Sequence, residues 1–117
     1  MMTINAAWKM KEDTGPNSLA ANLRRLMSDY HLYGFHARSA IGSEAGWPDW
    51  VIIGPNGILF RELKSQRGEL TPEQRSVGSK LAKVGLDWAV WRPQHLFDGT
   101  IERRLAAIAM HKQESLV

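Results

Sequence analysis

An aspartate, twelve intervening residues, then a glutamate and a lysine two positions apart are the residues of this chain whose types and spacing could do chemistry: Asp49, Glu62 and Lys64. Two carboxylates that meet can hold a hard divalent cation through oxygen, and Mg²⁺ suits such a pair because it retains several of its own waters. A cation held there lowers the pKa of bound water and polarises a phosphoryl oxygen. A lysine ammonium is a compact charge on a flexible stem, suited to orienting an attacking water or neutralising developing charge. These are the needs of phosphodiester hydrolysis. Asp49 and Glu62 are the candidate metal ligands, with the backbone carbonyl of Leu63 as a third, and Lys64 is the candidate catalytic cation.

These residues need elements that bring them together. Residues 49–53 and 58–60 are rich in β-branched and aromatic side chains, and Gly54-Pro55-Asn56-Gly57 between them is a turn signal. With those four residues as the loop, Ile53 faces Ile58, Val51 faces Phe60 and Asp49 faces Glu62. Lys64 then shares the face of Glu62, because strand side chains alternate with period two. Pro55 cannot take the positive φ of a type I′ turn, which favours a four-residue loop around a type I turn over a two-residue loop. A three-residue loop with a bulge at Gly57 would instead set Asp49 opposite Leu63. On the first register, Val51, Ile53, Ile58 and Phe60 make an apolar deep end, and its mouth carries two carboxylates and an ammonium. Glu-x-Lys by itself is common and equally suits a solvated strand end; three ionisable groups converging at the mouth of a buried face point to a site.

The remaining chain supplies the scaffold. Residues 1–17 lack sustained periodicity and read as a loose arm, with Trp8 as an anchor to the body or to a second subunit. Ser18 is an N-cap for a helix to about residue 31, with Leu19, Leu23, Leu26, Met27 and Tyr30 on one face and Gly34 as its stop. A short strand is expected over 35–39. A small-residue loop with Gly42, Ser43, Ala45 and Gly46 follows, leaving room beside Asp49 for a bulky ligand. Thr71 caps the next helix, Pro72 takes its first position and Gln74 completes a capping box. That helix is expected to bury Val77, Leu81 and Val84 and to stop at Gly85. A strand over 87–91 and an amphipathic helix over 100–111 complete the order α-β-β-β-α-β-α. This is an α/β class: a mixed central sheet of about four strands with helices on both faces, in a single domain over 18–117.

Composition narrows the function classes. The chain has 117 residues, 44% of them hydrophobic and 23% charged, enough for one core and ordinary for a globular domain. It has no cysteine, which excludes disulfides and thiolate metal sites. No apolar run is long enough to span a bilayer, and no basic segment leads into a long apolar one near the start, so no membrane partner is expected. Fifteen basic against twelve acidic residues give a net charge of +3, compatible with a polyanionic partner. His31, His36, His95 and His111 lack metal-ligand spacing, and neither a phosphate loop nor a dinucleotide fingerprint is present. His36 and Ser39 share one strand without a third partner for a hydrolase triad. Arg61, Arg67, Lys80, Lys83 and Arg92 flank the acids in sequence and could track a phosphate backbone, though not all on one side. Trp50, Trp88 and Trp91 read as core, and Trp47 as a packing residue that could also stack on a base.

The ordered set Gly46-x-Pro48-Asp49, Glu62-x-Lys64, Thr71-Pro72-Glu73-Gln74, a helix ending in Gly85 and a strand closing on Trp91-Arg92-Pro93 resembles the VRR-NUC (virus-type replication-repair nuclease) family over about residues 18–105. That family belongs to the PD-(D/E)xK nucleases. The resemblance implies a restriction-endonuclease-like fold and a Mg²⁺- or Mn²⁺-dependent DNA endonuclease, selective for branched DNA such as four-way junctions. It also implies a homodimer, in a phage or bacterial cytoplasmic setting. Asp49 and Glu62 match the metal-binding acids, Lys64 the catalytic lysine, and Gln74 a glutamine facing the metal site. The sequence departs from the pattern at its first helix, Ser18-Leu19-Ala20-Ala21-Asn22-Leu23, which lacks the usual glutamate. Glu12, Asp13 or Glu44 would have to replace it, or the site would hold its metal with one carboxylate fewer. The competing expectations are a catalytically weak DNA-binding module of the same fold and a small structural or regulatory partner. The N-terminal arm and the exposed side of the first helix are the expected dimer contacts.

Overall fold

The computed structural model describes residues 4–37 and 44–110. Along the chain run α1 (Ile4–Lys9), α2 (Leu19–Asp29), β1 (Tyr33–His36), β2 (Trp50–Gly54), β3 (Gly57–Leu63), α3 (Pro72–Lys83), β4 (Asp87–Trp91), α4 (Pro93–Phe97) and α5 (Thr100–Ala109). The strands form one mixed sheet in the order β1-β2-β3-β4, with β1·β2 and β2·β3 antiparallel and β3·β4 parallel. The parallel step is made by the α3 crossover. No helix among the described residues is long and apolar enough to cross a membrane.

The hairpin takes the first of the two expected registers: Val51 pairs with Phe60 and Ile53 with Ile58. Pairing runs one step further than expected, to Gly54 and Gly57, so Pro55-Asn56 alone makes the turn. Neither residue takes a positive φ, in keeping with the restriction proline imposes. The turn is stapled from outside. The Asn56 N–H donates to Ile108 O at 2.9 Å and Asn56 Nδ2 donates to Ala107 O at 3.2 Å. Gly54 permits this approach, since a Cβ there would collide with the Ile108 carbonyl.

The core lies on the opposite side of the sheet from the one expected. Trp50, Ile52, Leu59 and Leu63 are buried there beneath Leu19, Leu23 and Met27 of α2 and Ile101, Leu105 and Ile108 of α5. The face shared by Val51, Ile53, Ile58 and Phe60 is only partly covered. Phe60 is buried, but Ile53 and Ile58 are exposed, as are their neighbours Tyr33 (64%) and Phe35 (52%). What covers this second face is α3, whose Gly78 lies so close to Trp88 that a Cβ would strike the indole. Val84, expected to be buried with Val77 and Leu81, is exposed, and Gly78 is the buried residue of that helix. Val77 and Leu81 are half-buried, and the closest approach of the helix to the sheet is that of its backbone at Gly78 to one tryptophan.

Local signals account for most helix ends. Ser18 Oγ accepts from Ala21 N, and Thr71 and Gln74 form the expected capping box. Gly34 does not stop α2. His31 does so in the left-handed region (φ 55°), with Leu32 N donating to Met27 O and His31 N to Ser28 O in a Schellman pattern. Gly34 instead sits in β1, where a Cβ would press on Met27 and Trp50. The expected loose arm contains α1, with Ala7 buried. Trp8 carries the Arg67 guanidinium 4.3 Å from its ring. The short helix α4 lies between β4 and α5, where no element was expected. The strand expected over 35–39 is Tyr33–His36. Ser39, the loop residues Gly42 and Ser43, and the helix end at His111 lie outside the described residues.

Candidate functional site

Asp49, Glu62 and Gln74 line one cleft of about 640 Å³, together with Glu12, Asp13, Arg24 and His36. The hairpin supplies the first two. Asp49 lies one residue before β2 and Glu62 near the end of β3, so the register sets them opposite one another just beyond the terminal ladder pair, Trp50 and Arg61. Asp49 Oδ2 accepts the Leu63 N–H at 2.8 Å, which fixes its carboxylate against the neighbouring strand.

Glu62 is 1% exposed. One carboxyl oxygen, Oε1, accepts from Gln74 Nε2 at 2.9 Å. The other, Oε2, is buried and meets no donor, and the Glu62 carboxyl shares a proton with the Asp49 carboxylate beside it. Burial, and after it the Asp49 carboxylate beside it, pushes the Glu62 carboxyl up from 4.5 to about 9, while the Lys64 ammonium opposes the rise. Two carboxyls side by side, one of them buried, cannot both ionise cheaply unless a proton or a cation comes between them.

Gln74 makes two contacts with its side-chain amide. Its Oε1 accepts the Thr71 N–H at 2.9 Å to close the capping box, and its Nε2 reaches Glu62. One side-chain amide thus ties the start of α3 to the acid. Lys64 acts on Glu62 and Glu12 through its charge. Among the described residues both ion pairs within 4 Å go to Asp87, so Lys64 is not engaged by a carboxylate at that distance.

Glu12 is the acid that reaches the site from the segment before α2. The Leu19 N–H donates to Lys11 O and the Ala20 N–H to Glu12 O, each at 2.9 Å, laying that segment across the helix start. Burial first, then the charges of Asp49 and Asp13, raise the Glu12 carboxyl; Lys64 and the Ser65 amide oppose them. Asp13 lines the same cleft, whereas Glu44 is exposed and does not. The signal for Glu12 in the sequence was its place just upstream of a helix that lacks an acid. Among the described residues no three carboxylate or imidazole side chains close on one point, so a cation would meet a carboxylate pair rather than a cage.

Two of the flanking bases do not face the cleft. Arg61 is buried on the core side, paired with Asp87 and stacked over Trp91 at 4.7 Å. Arg92 is occupied by the carbonyls of Ser65 and Gly68, at 2.8 and 2.6 Å, and so shapes the loop after Lys64. Arg67 lies over Trp8, and Lys80 and Lys83 stay exposed in the last turn of α3. Trp47 is 40% exposed and packs edge-on against Phe60, with ring centroids 6.0 Å apart. Trp50 and Trp91 are core as expected, and Trp88 is half-buried beneath Gly78.

Gly46 holds the loop that delivers Asp49. Its φ is +88°, and a Cβ would collide with the Glu73 carbonyl at the start of α3. Gly46→Ala is therefore expected to push the loop off α3 and destabilise the fold by about 1–3 kcal/mol. Differential scanning calorimetry should show this as a melting temperature lower by roughly 5–15 °C. No family model matches the sequence, and no curated protein or solved structure gives a match to it.

Proposed function

We propose that this chain is a metal-dependent DNA endonuclease that hydrolyses phosphodiester bonds, with Asp49, Glu62, Lys64 and Gln74 as its catalytic residues. The observation that carries this reading is the buried Glu62 carboxyl, whose Oε2 meets no donor and which shares a proton with the Asp49 carboxylate in one cleft. Two carboxyls that share a proton fit Mg²⁺ or Mn²⁺ in its place, hard cations that one or two carboxylates and waters suffice to hold. Asp49 and Glu62, with the Leu63 carbonyl, would hold the ion, which when bound supplies a water of lowered pKa and a polarised phosphoryl oxygen. The protein's own groups do the rest. The Leu63 amide fixes Asp49, Gln74 fixes Glu62, Glu12 lines the cleft as a further acid, and the Lys64 ammonium neutralises charge that develops on the phosphate. A restriction-endonuclease-like arrangement of the mixed sheet belongs to the same proposal.

The favoured substrate in this reading is branched DNA such as a four-way junction, cut by a symmetric homodimer whose two sites match the two-fold axis of the junction. The exposed strip Tyr33, Phe35, Ile53 and Ile58 is the apolar surface open to such a contact. The outer side of α2, with Arg24, Arg25, Ser28 and Asp29, is polar, and Trp8 is already engaged by Arg67. The second reading, a catalytically weak DNA-binding module, draws on the pair rather than cage of acids. Purified protein incubated with linear, flapped and four-way DNA in Mg²⁺, Mn²⁺ or EDTA separates them. Paired nicks on branched DNA with either metal and none with EDTA are expected. Salt-sensitive binding without cutting would favour the module, and neither binding nor cutting would overturn both.

A further inference from the structure

Arg24 and His36 line the same cleft as the hairpin acids, and nothing in the reaction outlined above uses them. Arg24 projects from the exposed side of α2, next to the buried Leu23. Its guanidinium lies 4.8 Å from the Trp50 ring centroid. The His36 ring stacks on the same indole, 4.5 Å away and inclined by 17°, and Arg24 Nη2 lies 3.4 Å from His36 Nδ1. The sheet makes this platform rigid: His36 and Trp50 are register partners across β1 and β2, and Trp50 is 2% exposed. Among the described residues no carboxylate pairs with Arg24, since both ion pairs belong to Asp87. A pre-oriented planar donor therefore stands open in a cleft whose other ionisable lining groups, apart from His36, are the acids Glu12, Asp13, Asp49 and Glu62.

We propose that Arg24, held by Trp50 and His36, binds a backbone phosphate of the nucleic acid next to the phosphate that is cut; this rests on the nuclease reading given above. Acids and a guanidinium in one cleft suit a ligand that presents anionic oxygens at successive points. One phosphate meets the cation held by Asp49 and Glu62, and its neighbour meets Arg24. A guanidinium fixed against an indole loses little freedom when it forms two parallel hydrogen bonds to a phosphate, whereas a lysine there would keep the charge and lose the fork. The assignment makes Arg24 a binding residue and His36 a positioning residue.

The test is fluorescence anisotropy of labelled four-way DNA in Ca²⁺, over a series of KCl concentrations, with wild-type protein, Arg24→Ala, Arg24→Lys and Arg25→Ala. Arg25 carries the same charge one position along, but its Nη1 donates to Pro16 O. Arg24→Ala should weaken binding about tenfold and flatten the log affinity against log salt slope by about one, the signature of one lost phosphate contact. Arg24→Lys should keep the slope and lose affinity by a smaller factor, and Arg25→Ala should match wild type. In Mg²⁺, Arg24→Ala should raise KM more than it lowers kcat. Wild-type slope and affinity in Arg24→Ala, or equal losses in Arg24→Ala and Arg25→Ala, overturn the assignment and leave the nuclease reading standing. Wild-type protein that neither binds nor cuts DNA overturns the nuclease reading, and the Arg24 assignment with it.

Discussion

Glu62→Gln is expected to abolish cleavage and, at the same time, to make the metal-free protein more stable. The loss of activity should be on the order of 10²–10³-fold or more, as should the losses from Asp49→Asn and Lys64→Ala, since in the proposed reaction each removes a ligand or a charge needed only at the reacting phosphate. The gain in stability is peculiar to Glu62. Its carboxyl stays protonated in the folded protein up to about 9, whereas in the unfolded chain it ionises near 4.5. The folded state therefore holds a proton that the unfolded state has lost, and stability falls as pH rises between these two values. Glutamine keeps the acceptor for Gln74 Nε2 and adds a neutral donor toward Asp49, with nothing left to ionise. Melting curves from about pH 5 to pH 9 should slope downward for wild type and lie flatter and higher for Glu62→Gln. Added Mg²⁺ should raise the wild-type melting temperature, more at alkaline than at neutral pH because the ion displaces the proton. Glu62→Gln should not respond. A variant that cuts DNA as wild type does would defeat the site assignment. One with the wild-type pH slope would defeat the account of its charge.

The largest stability loss is expected at the far end of the sheet, from Asp87→Ala. Arg61 is 3% exposed, donates to the backbone oxygens of Phe60 and Asp87, and pairs with Asp87 Oδ1 at 2.8 Å. Burial lowers the pKa of its guanidinium, and Asp87 works against that. Arg104 holds the second oxygen of the same carboxylate. Partial burial acts to raise the Asp87 carboxyl, but the hydrogen bonds from Arg104 and Arg61 overcome it and hold it below 3.8. Its contribution is therefore present above the ordinary carboxylate range and lost as pH falls through the folded value. Removing the carboxylate leaves a buried guanidinium with only backbone acceptors, at a cost of about 3 kcal/mol. Arg104→Ala, at an exposed position, should cost about 0–1 kcal/mol. Denaturant melts check both, and the double variant Arg61→Met/Asp87→Ala should recover most of the loss, because an apolar pair of similar size avoids the desolvation. An Asp87→Ala protein as stable as wild type would show that Arg61 needs no countercharge.

What could be read in the sequence was whatever local chemistry decides. Thr71, Pro72 and Gln74 specify a helix start within four residues, and Gly54-Pro55-Asn56-Gly57 marks a turn from which one of two registers brings Asp49 across from Glu62; that the turn narrows to Pro55-Asn56 was not legible. The choice of buried sheet face was not legible. Both faces of Trp50-Val51-Ile52-Ile53 and of Ile58-Leu59-Phe60 are apolar, so alternation carries no sign, and only the docking of α2 and α5 decides it. Arg61 and Arg92 looked like surface bases because their acceptors, Asp87 and the carbonyls of the 65–68 loop, lie 24 or more positions away. The end of α2 went to His31 rather than Gly34 because Gly34 is needed where Met27 and Trp50 crowd the strand. Glu12 was visible as a candidate but could not be ranked, since two backbone hydrogen bonds between its segment and α2 carry it to the cleft.

The staple between Asn56 and the end of α5 links the hairpin that bears Asp49 and Glu62 to carbonyls 51 and 52 positions further along the chain. Closing so long a loop is among the costly and therefore late steps of folding. The two strands can pair early, but their tip is pinned only once the final helix has docked. On the proposed reading, catalytic competence is accordingly a late product of folding. During unfolding, a chain whose last helix has peeled away would keep most of its helical circular dichroism while its acids fall out of alignment, so activity should fade before secondary structure does.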